Sequence, residues 1–138
     1  MAKAAGYGST VEVSTDGGVT YTAIGGMMDE GFKCKGATLD VTNHDSGVYK
    51  EFIAGRLDLS FDLKGFYDFA DAGQTVMQAA MIARTLIKLR YRPVVGTGQQ
   101  QFILSCYLTG LDDDSPNEAA NAINYTAQVT GAPSITTQ

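Results

Sequence analysis

Between Leu57 and Lys64 apolar and polar residues alternate without interruption, with Leu57, Leu59, Phe61 and Leu63 on one side and Asp58, Ser60, Asp62 and Lys64 on the other. Successive side chains of an extended chain point to opposite faces, whereas a helix would scatter the same residues around its circumference. The segment can bury its apolar set only as a strand. The same period recurs along the chain. Val11 and Val13 lead into the turn Asp16-Gly17-Gly18 and then to Val19, Tyr21 and Ala23, a hairpin signature. A further strand is expected from about Phe32 to Thr42, with Leu39 and Val41 against Thr38, Asp40 and Thr42. Thr85–Arg92, Gln101–Leu108 and Ile123–Thr130 complete the set, the last pointing Ile123, Tyr125, Ala127 and Val129 inward. Glycine, 16 of 138 residues against 3 prolines, supplies the turns of a β-rich chain.

One segment breaks the pattern. In DFADAGQTVMQAAMIAR, Phe69, Val76, Met77, Ala80 and Met81 recur at helical steps, and Asp71 with Gln74 has capping-box spacing. This predicts one amphipathic helix covering a sheet face. Asn43–Gly55 opens with four turn formers and is expected to be a long loop. LDDDSPNE reads as an acidic turn. The expected architecture is mainly β, a β-sandwich or barrel-like fold with one flanking α-helix. A single domain spans residues 1–138, with extended arms at about 1–8 and 131–138, the latter mobile.

Chemistry-bearing patterns are sparse. Cys34 and Cys106 are far apart in sequence and read as two buried thiols of a reducing compartment, a disulfide being the alternative. One His and two Cys without metal-ligand spacing give no metal site. His44-Asp45-Ser46 sets three catalytic residue types side by side, but triads are assembled from distant segments, so the run reads as a turn. Asp112-Asp113-Asp114 with Asn117 and Glu118 lacks the ligand alternation of a calcium loop. No phosphate-binding glycine motif is present and no cofactor is expected. Ten basic residues against fifteen acidic, a net charge of −5, argue against a dedicated nucleic-acid binder. No apolar stretch approaches the roughly 20 residues of a membrane span, and MAKAAGYGST lacks a signal-peptide core, so neither a membrane partner nor export is expected. No enzyme is expected. A small β-sandwich binding module would want aromatic platforms, and Trp is 0.

The run Ala37–Gly47, ATLDVTNHDSG, followed by Lys50-Glu51-Phe52-Ile53-Ala54-Gly55 and the alternating strand from Arg56 to Lys64, resembles the major tail tube proteins of long-tailed bacteriophages, the TP901-1-like group. The stretch Tyr125–Gly131 is also similar. The resemblance implies a virion structural protein that assembles with itself into hexameric rings stacked as a tube. DNA passes through the bore, and tape measure, terminator and distal tail proteins are the further partners. It implies a virion tail location after assembly in the host cytoplasm. The inner tube of a contractile secretion system, or a head–tail joining or tail terminator protein, are the related alternatives.

A conduit should not grip phosphates, because each Lys or Arg contact would hold the duplex. On that reasoning the bore is expected to be lined by the polar faces Glu12, Ser14, Thr20 and Thr22, or Asp58, Ser60 and Asp62. Asn43, His44, Asp45, Ser46, Lys50 and Glu51, with both termini, are the candidate ring-stacking elements. The stripe Lys88, Arg90 and Arg92 is expected to meet carboxylates, those of Asp58 and Asp62 or of another subunit, as an inter-subunit basic face.

Overall fold

The computed structural model describes residues 9–68, 70–115, 117 and 121–138. The expected arm 1–8, Phe69 and Glu118 lie outside the described residues. In chain order the elements are β1 (Thr10–Ser14), β2 (Thr22–Ala23), β3 (Met27–Asp40), β4 (Phe52–Phe66), α1 (Ala72–Ala83), β5 (Ile87–Arg92), β6 (Gln100–Asp114), β7 (Ala122–Val129) and β8 (Ser134–Thr137). All eight strands join one antiparallel sheet, ordered β2-β1-β5-β6-β7-β4-β3, with β8 on β6.

That order fixes the shape. β2 and β3 lie at opposite ends of the sheet, yet only Ile24, Gly25 and Gly26 join them. Six strand spacings of about 4.8 Å would separate them by about 29 Å in a flat sheet, while the link reaches about 14 Å at most. The sheet must therefore roll until its ends approach. Two observations agree: Ser9 Oγ donates to Glu30 Oε2 at 2.6 Å, tying the β1 end to β3, and an aromatic chain crosses the interior. Phe32 stacks on Phe102 at 5.5 Å, Phe102 on Tyr91 at 6.0 Å, and Tyr91 meets the edge of Phe61 at 5.1 Å.

The alternating residues fill the rolled interior. Leu59, Phe61 and Leu63 from β4 meet Val11, Val13, Leu89, Leu104, Leu108 and all four inward residues of β7. Met77 and Ala80 of α1 close the core. Burial pushes the Cys106 thiol up to about 12. Cys34, expected buried, is exposed because β3 is an edge strand that outruns the core.

The helix entry is a polar latch. The Asp71 carboxylate accepts from Gln74 N at 2.9 Å as the N-cap and from Gly25 N at 3.1 Å. The Gln74 side chain does not return to the cap, as a capping box would have it. Fully buried, it accepts from Asp68 N at 3.0 Å and donates to Gly25 O and Phe66 O, both at 2.9 Å. Close backbone approach makes this possible. A side chain on Gly26, at φ 76°, would meet Phe66 O at 2.9 Å, and one on Gly73 would meet Ile24 Cα at 2.7 Å.

Several boundaries differ from the sequence reading. β4 begins at Phe52, so the expected loop shrinks to 41–51. The acidic run Asp112–Asp114 extends β6 and pairs with Asn124, Ile123 and Ala122, because backbone pairing with β7 overrides the turn preference of Asp. The expected mobile tail is the paired strand β8, pinned where Gln138 Nε2 donates to Val94 O and Gln100 O and its Oε1 accepts from Gly96 N. The first hairpin keeps its pairing, Val13 opposite Thr22, but β2 is short and Val19 exposed.

A loop built on Asp16 explains this. Its Oδ1 accepts from Ser14 Oγ at 2.6 Å, Thr20 N at 3.0 Å and Val19 N at 3.1 Å.

Two outcomes follow. Gln74→Ala leaves three partly buried backbone groups without this partner and lowers stability by about 1–3 kcal/mol, read as a shifted urea midpoint with the slope unchanged. The hydrogen bonds from Ser14, and then Thr20, hold the Asp16 carboxyl down at about 2. A depressed acid stabilises above its unfolded value, about 3.9, and loses that contribution as pH falls through the folded one. Val19 and Thr20 amide resonances therefore titrate with a midpoint close to 2, and Asp16→Ala removes the transition.

Candidate assembly surfaces

Three surfaces stand out once the core is accounted for. The first is the outer face of the four long neighbours β3, β4, β7 and β6. The ladder sets Asp29, Lys64, Asn124 and Asp112 in one row across the four strands, and Gly31, Asp62, Thr126 and Gly110 in the next. Both rows border an open trough of about 410 Å³. Asp58, Ser60 and Asp62 share this face, where Asp62 pairs with Lys33 Nζ at 2.9 Å and Asp58 accepts from Gln128 Nε2 at 2.7 Å.

The second is the distal half of the β3–β4 hairpin. The two strands run far past the core: Leu59 is buried, but Leu57, on the same alternating set, is 64% exposed. A register shift between Gly36 and Thr38 sets Leu39 opposite Ile53 and Asp40 opposite Phe52. Of the fifteen large exposed hydrophobic residues among the described residues, seven lie between Leu39 and Leu57. Patches of that kind mark interaction sites.

The hairpin tip is nonetheless well fastened. Asn43 caps a 3-10 turn at His44–Ser46, its Oδ1 accepting from Asp45 N at 2.8 Å while Ser46 Oγ accepts from Asn43 N at 3.1 Å. The turn reading of His44-Asp45-Ser46 therefore describes its geometry. Thr42 bridges the loop, accepting from Glu51 N at 2.9 Å and donating to Asp40 Oδ1 at 2.6 Å; that hydroxyl bond, and then one from Thr42 N, hold the Asp40 carboxyl below the usual carboxylate range. Lys50 and Glu51 are exposed beside it.

The third is the basic stripe, which the structure spends internally. Glu12 of β1 stands directly opposite Arg90. It accepts from Arg90 Nη2 and lies 3.7 Å from Arg92 Nη1, and the Arg90 guanidinium sits 4.1 Å above the Tyr21 ring. The acid that meets the stripe is thus Glu12, brought alongside by sheet order, rather than Asp58 or Asp62. Lys88 is half-buried opposite Ser14 and Ser105. The proposed lining set Glu12, Ser14, Thr20 and Thr22 is correspondingly depleted: Glu12 is engaged, and Ser14 is 2% exposed and committed to the Asp16 loop. Thr20 is exposed and Thr22 half-buried.

No group of three or more metal-binding side chains occurs among the described residues. The arrangement is one of faces and a projection, suited to contact over area.

Over residues 5–135 the sequence matches the phage tail tube protein family. The chain belongs to that family. Solved tail tubes share its fold. The tail of an empty gene transfer agent particle, refined with C6 symmetry, superposes with a TM-score of 0.83 at 17% identity, covering 97% of this chain and 99% of that one. The SPP1 tail tube gives 0.77 at 14% identity, over 97% of this chain and 79% of the other. A tube from an extracellular contractile injection system gives 0.67 at 11% identity, over 96% and 90%. Among curated proteins, none matches the sequence. As a tail tube protein, a structural component, the chain has the mainly β fold with one helix that the alternation predicts.

Losing Glu12 strands two partly buried guanidinium groups. Glu12→Ala lowers stability by about 1–3 kcal/mol, and in a double-mutant cycle with Arg90→Ala the two losses are less than additive, as denaturation midpoints will read.

Proposed function

We propose that copies of this chain close into six-membered rings, that the rings stack into the hollow tube of a phage or phage-like tail, and that DNA travels through its bore. The projecting β3–β4 hairpin carries this reading: a long, fastened extension with apolar residues that find no cover in their own chain. In a head-to-tail assembly, one interface closes the ring and a second, axial one repeats without end. The hairpin tip, Asn43–Glu51, and the termini supply the axial contact.

The four-strand face lines the bore in this reading. Six copies, as in the C6 tail of the gene transfer agent, contributing β3, β4, β7 and β6 each make a 24-stranded cylinder. With strands about 4.8 Å apart and tilted about 40°, its backbone is about 48 Å across, wide enough for a duplex after side chains line it. Continuing the sheet between copies also covers the exposed edge of β3. Tape measure, terminator and distal tail proteins are the remaining partners, and assembly takes place in the host cytoplasm. The likeness to the injection-system tube supports a second reading, an inner tube inside a contractile sheath.

Electron microscopy of concentrated protein tests the proposal. Long tubes of uniform diameter with six-fold end views are expected, and Phe52→Ser with Ile53→Ser should reduce them to single rings while circular dichroism stays unchanged. A protein that stops at one ring without those substitutions, or never leaves the monomer, overturns the tube reading.

A further inference from the structure

The proposed bore face is not free of cations. It carries Lys33, Lys35 and Lys64, all exposed. Each is set against an aspartate across the β3–β4 ladder. Lys64 stands directly opposite Asp29, Lys35 directly opposite Asp58, and Lys33 reaches Asp62 at 2.9 Å. The two directly opposite pairs have Cβ atoms about 5 Å apart, well inside a Debye length of about 8 Å at physiological salt. A phosphate approaching any of these lysines therefore meets a carboxylate at nearly the same distance.

Building on the tube reading, we propose that Asp29, Asp58 and Asp62 are masking residues, whose function is to withhold Lys64, Lys35 and Lys33 from the phosphates of duplex DNA. An ion pair as exposed as Lys33–Asp62 adds little to folding, and Lys35 and Lys64 lie beside their aspartates by register alone. Their effect is on the potential at the surface, where counterion release by an unopposed lysine supplies affinity for DNA. The lysines keep the wall from repelling the duplex, and the aspartates keep it from holding on. Similar pairing of Arg90 and Arg92 with Glu12 extends the same economy to the other half of the sheet.

The test uses the full chain and a short linear DNA duplex. The variant Asp29→Asn/Asp58→Asn/Asp62→Asn still leaves the chain net negative, so a global charge effect predicts no binding. Masking predicts that fluorescence anisotropy at 50 mM salt detects binding absent from the parent protein, weakening with a log–log salt slope of about −3 for three uncovered lysines. Lys33→Gln/Lys35→Gln/Lys64→Gln added on top should abolish it. A control, Asp45→Asn/Glu51→Gln/Asp113→Asn, makes the same charge change off this face. No gain in the first variant, or an equal gain in the control, overturns the proposal. Nuclease protection separates it from the reading beneath it. In tubes of the first variant assembled with the duplex, protected DNA supports both. DNA that binds the subunit yet stays nuclease-sensitive on the tubes leaves the masking intact and overturns the assignment of this face to the bore.

Discussion

The whole molecule depends on a three-residue link between the two ends of its sheet. Ile24, Gly25 and Gly26 cannot bridge the width of a flat sheet in this strand order, so joining β2 to β3 obliges the sheet to roll. Rolling creates the enclosed interior that the alternating strands then fill. It also leaves a seam where Gly25 and Phe66 present backbone groups away from any strand partner. Asp71 and Gln74 resolve both problems at once, pairing those groups and starting the helix that covers the seam. A buried polar node of this kind stabilises when complete and is costly when any member is lost. The fold's closure and the helix α1 are thus one feature.

Rolling a sheet consumes its middle and spares its overhang. β3 and β4 each exceed the length that the core can cover, and the surplus emerges as a hairpin whose apolar residues, Leu57 among them, find no core to enter. Leu57 differs from Leu59 in position, and in little else. An isolated two-stranded ribbon is marginal in water, so the tip is secured by its own bonds: the Thr42 bridge, the Asn43 cap and the Ser46 return. Apolar residues held on a projection are placed for burial by another molecule, and in the proposed stack of rings that molecule is another copy of the chain.

This geometry also explains what could be read in the sequence. Alternation at Leu57–Lys64 and Ile123–Val129 identified strands and, Leu57 apart, their inward residues, because one buried face forces period two. Helix spacing with Asp71 as the cap was equally local. The lengths of β4 and β6 were not: Phe52–Gly55 shows no alternation and follows a run of turn formers, Asp112–Asp114 carries contrary propensity, and both are paired with the strands beside them. Gln74 looked like a capping partner because its role, holding Gly25 and Phe66, spans the closure and has no one-dimensional signature. The partner of Arg90 was hidden for the same reason: Glu12 lies 78 residues away, and only the order β1-β5 brings them together. Among the candidate assembly residues, the run Asn43–Ser46 was legible as a turn, whereas nothing in its pattern shows that it crowns a projection.

Sparse charge takes on a physical meaning in this setting. A surface that must contact copies of itself over much of its area cannot hold many ions, because each one buried at an interface would need a partner or lose its hydration. Some of the charges that remain are placed beside opposite ones, Glu12 with two arginines and Asp62 with Lys33. Pairing within the subunit has a further consequence for assembly. In the proposed tube it would leave the contact between copies to shape and apolar area, which salt does not screen, and would leave DNA in the bore with few uncompensated cations to hold it.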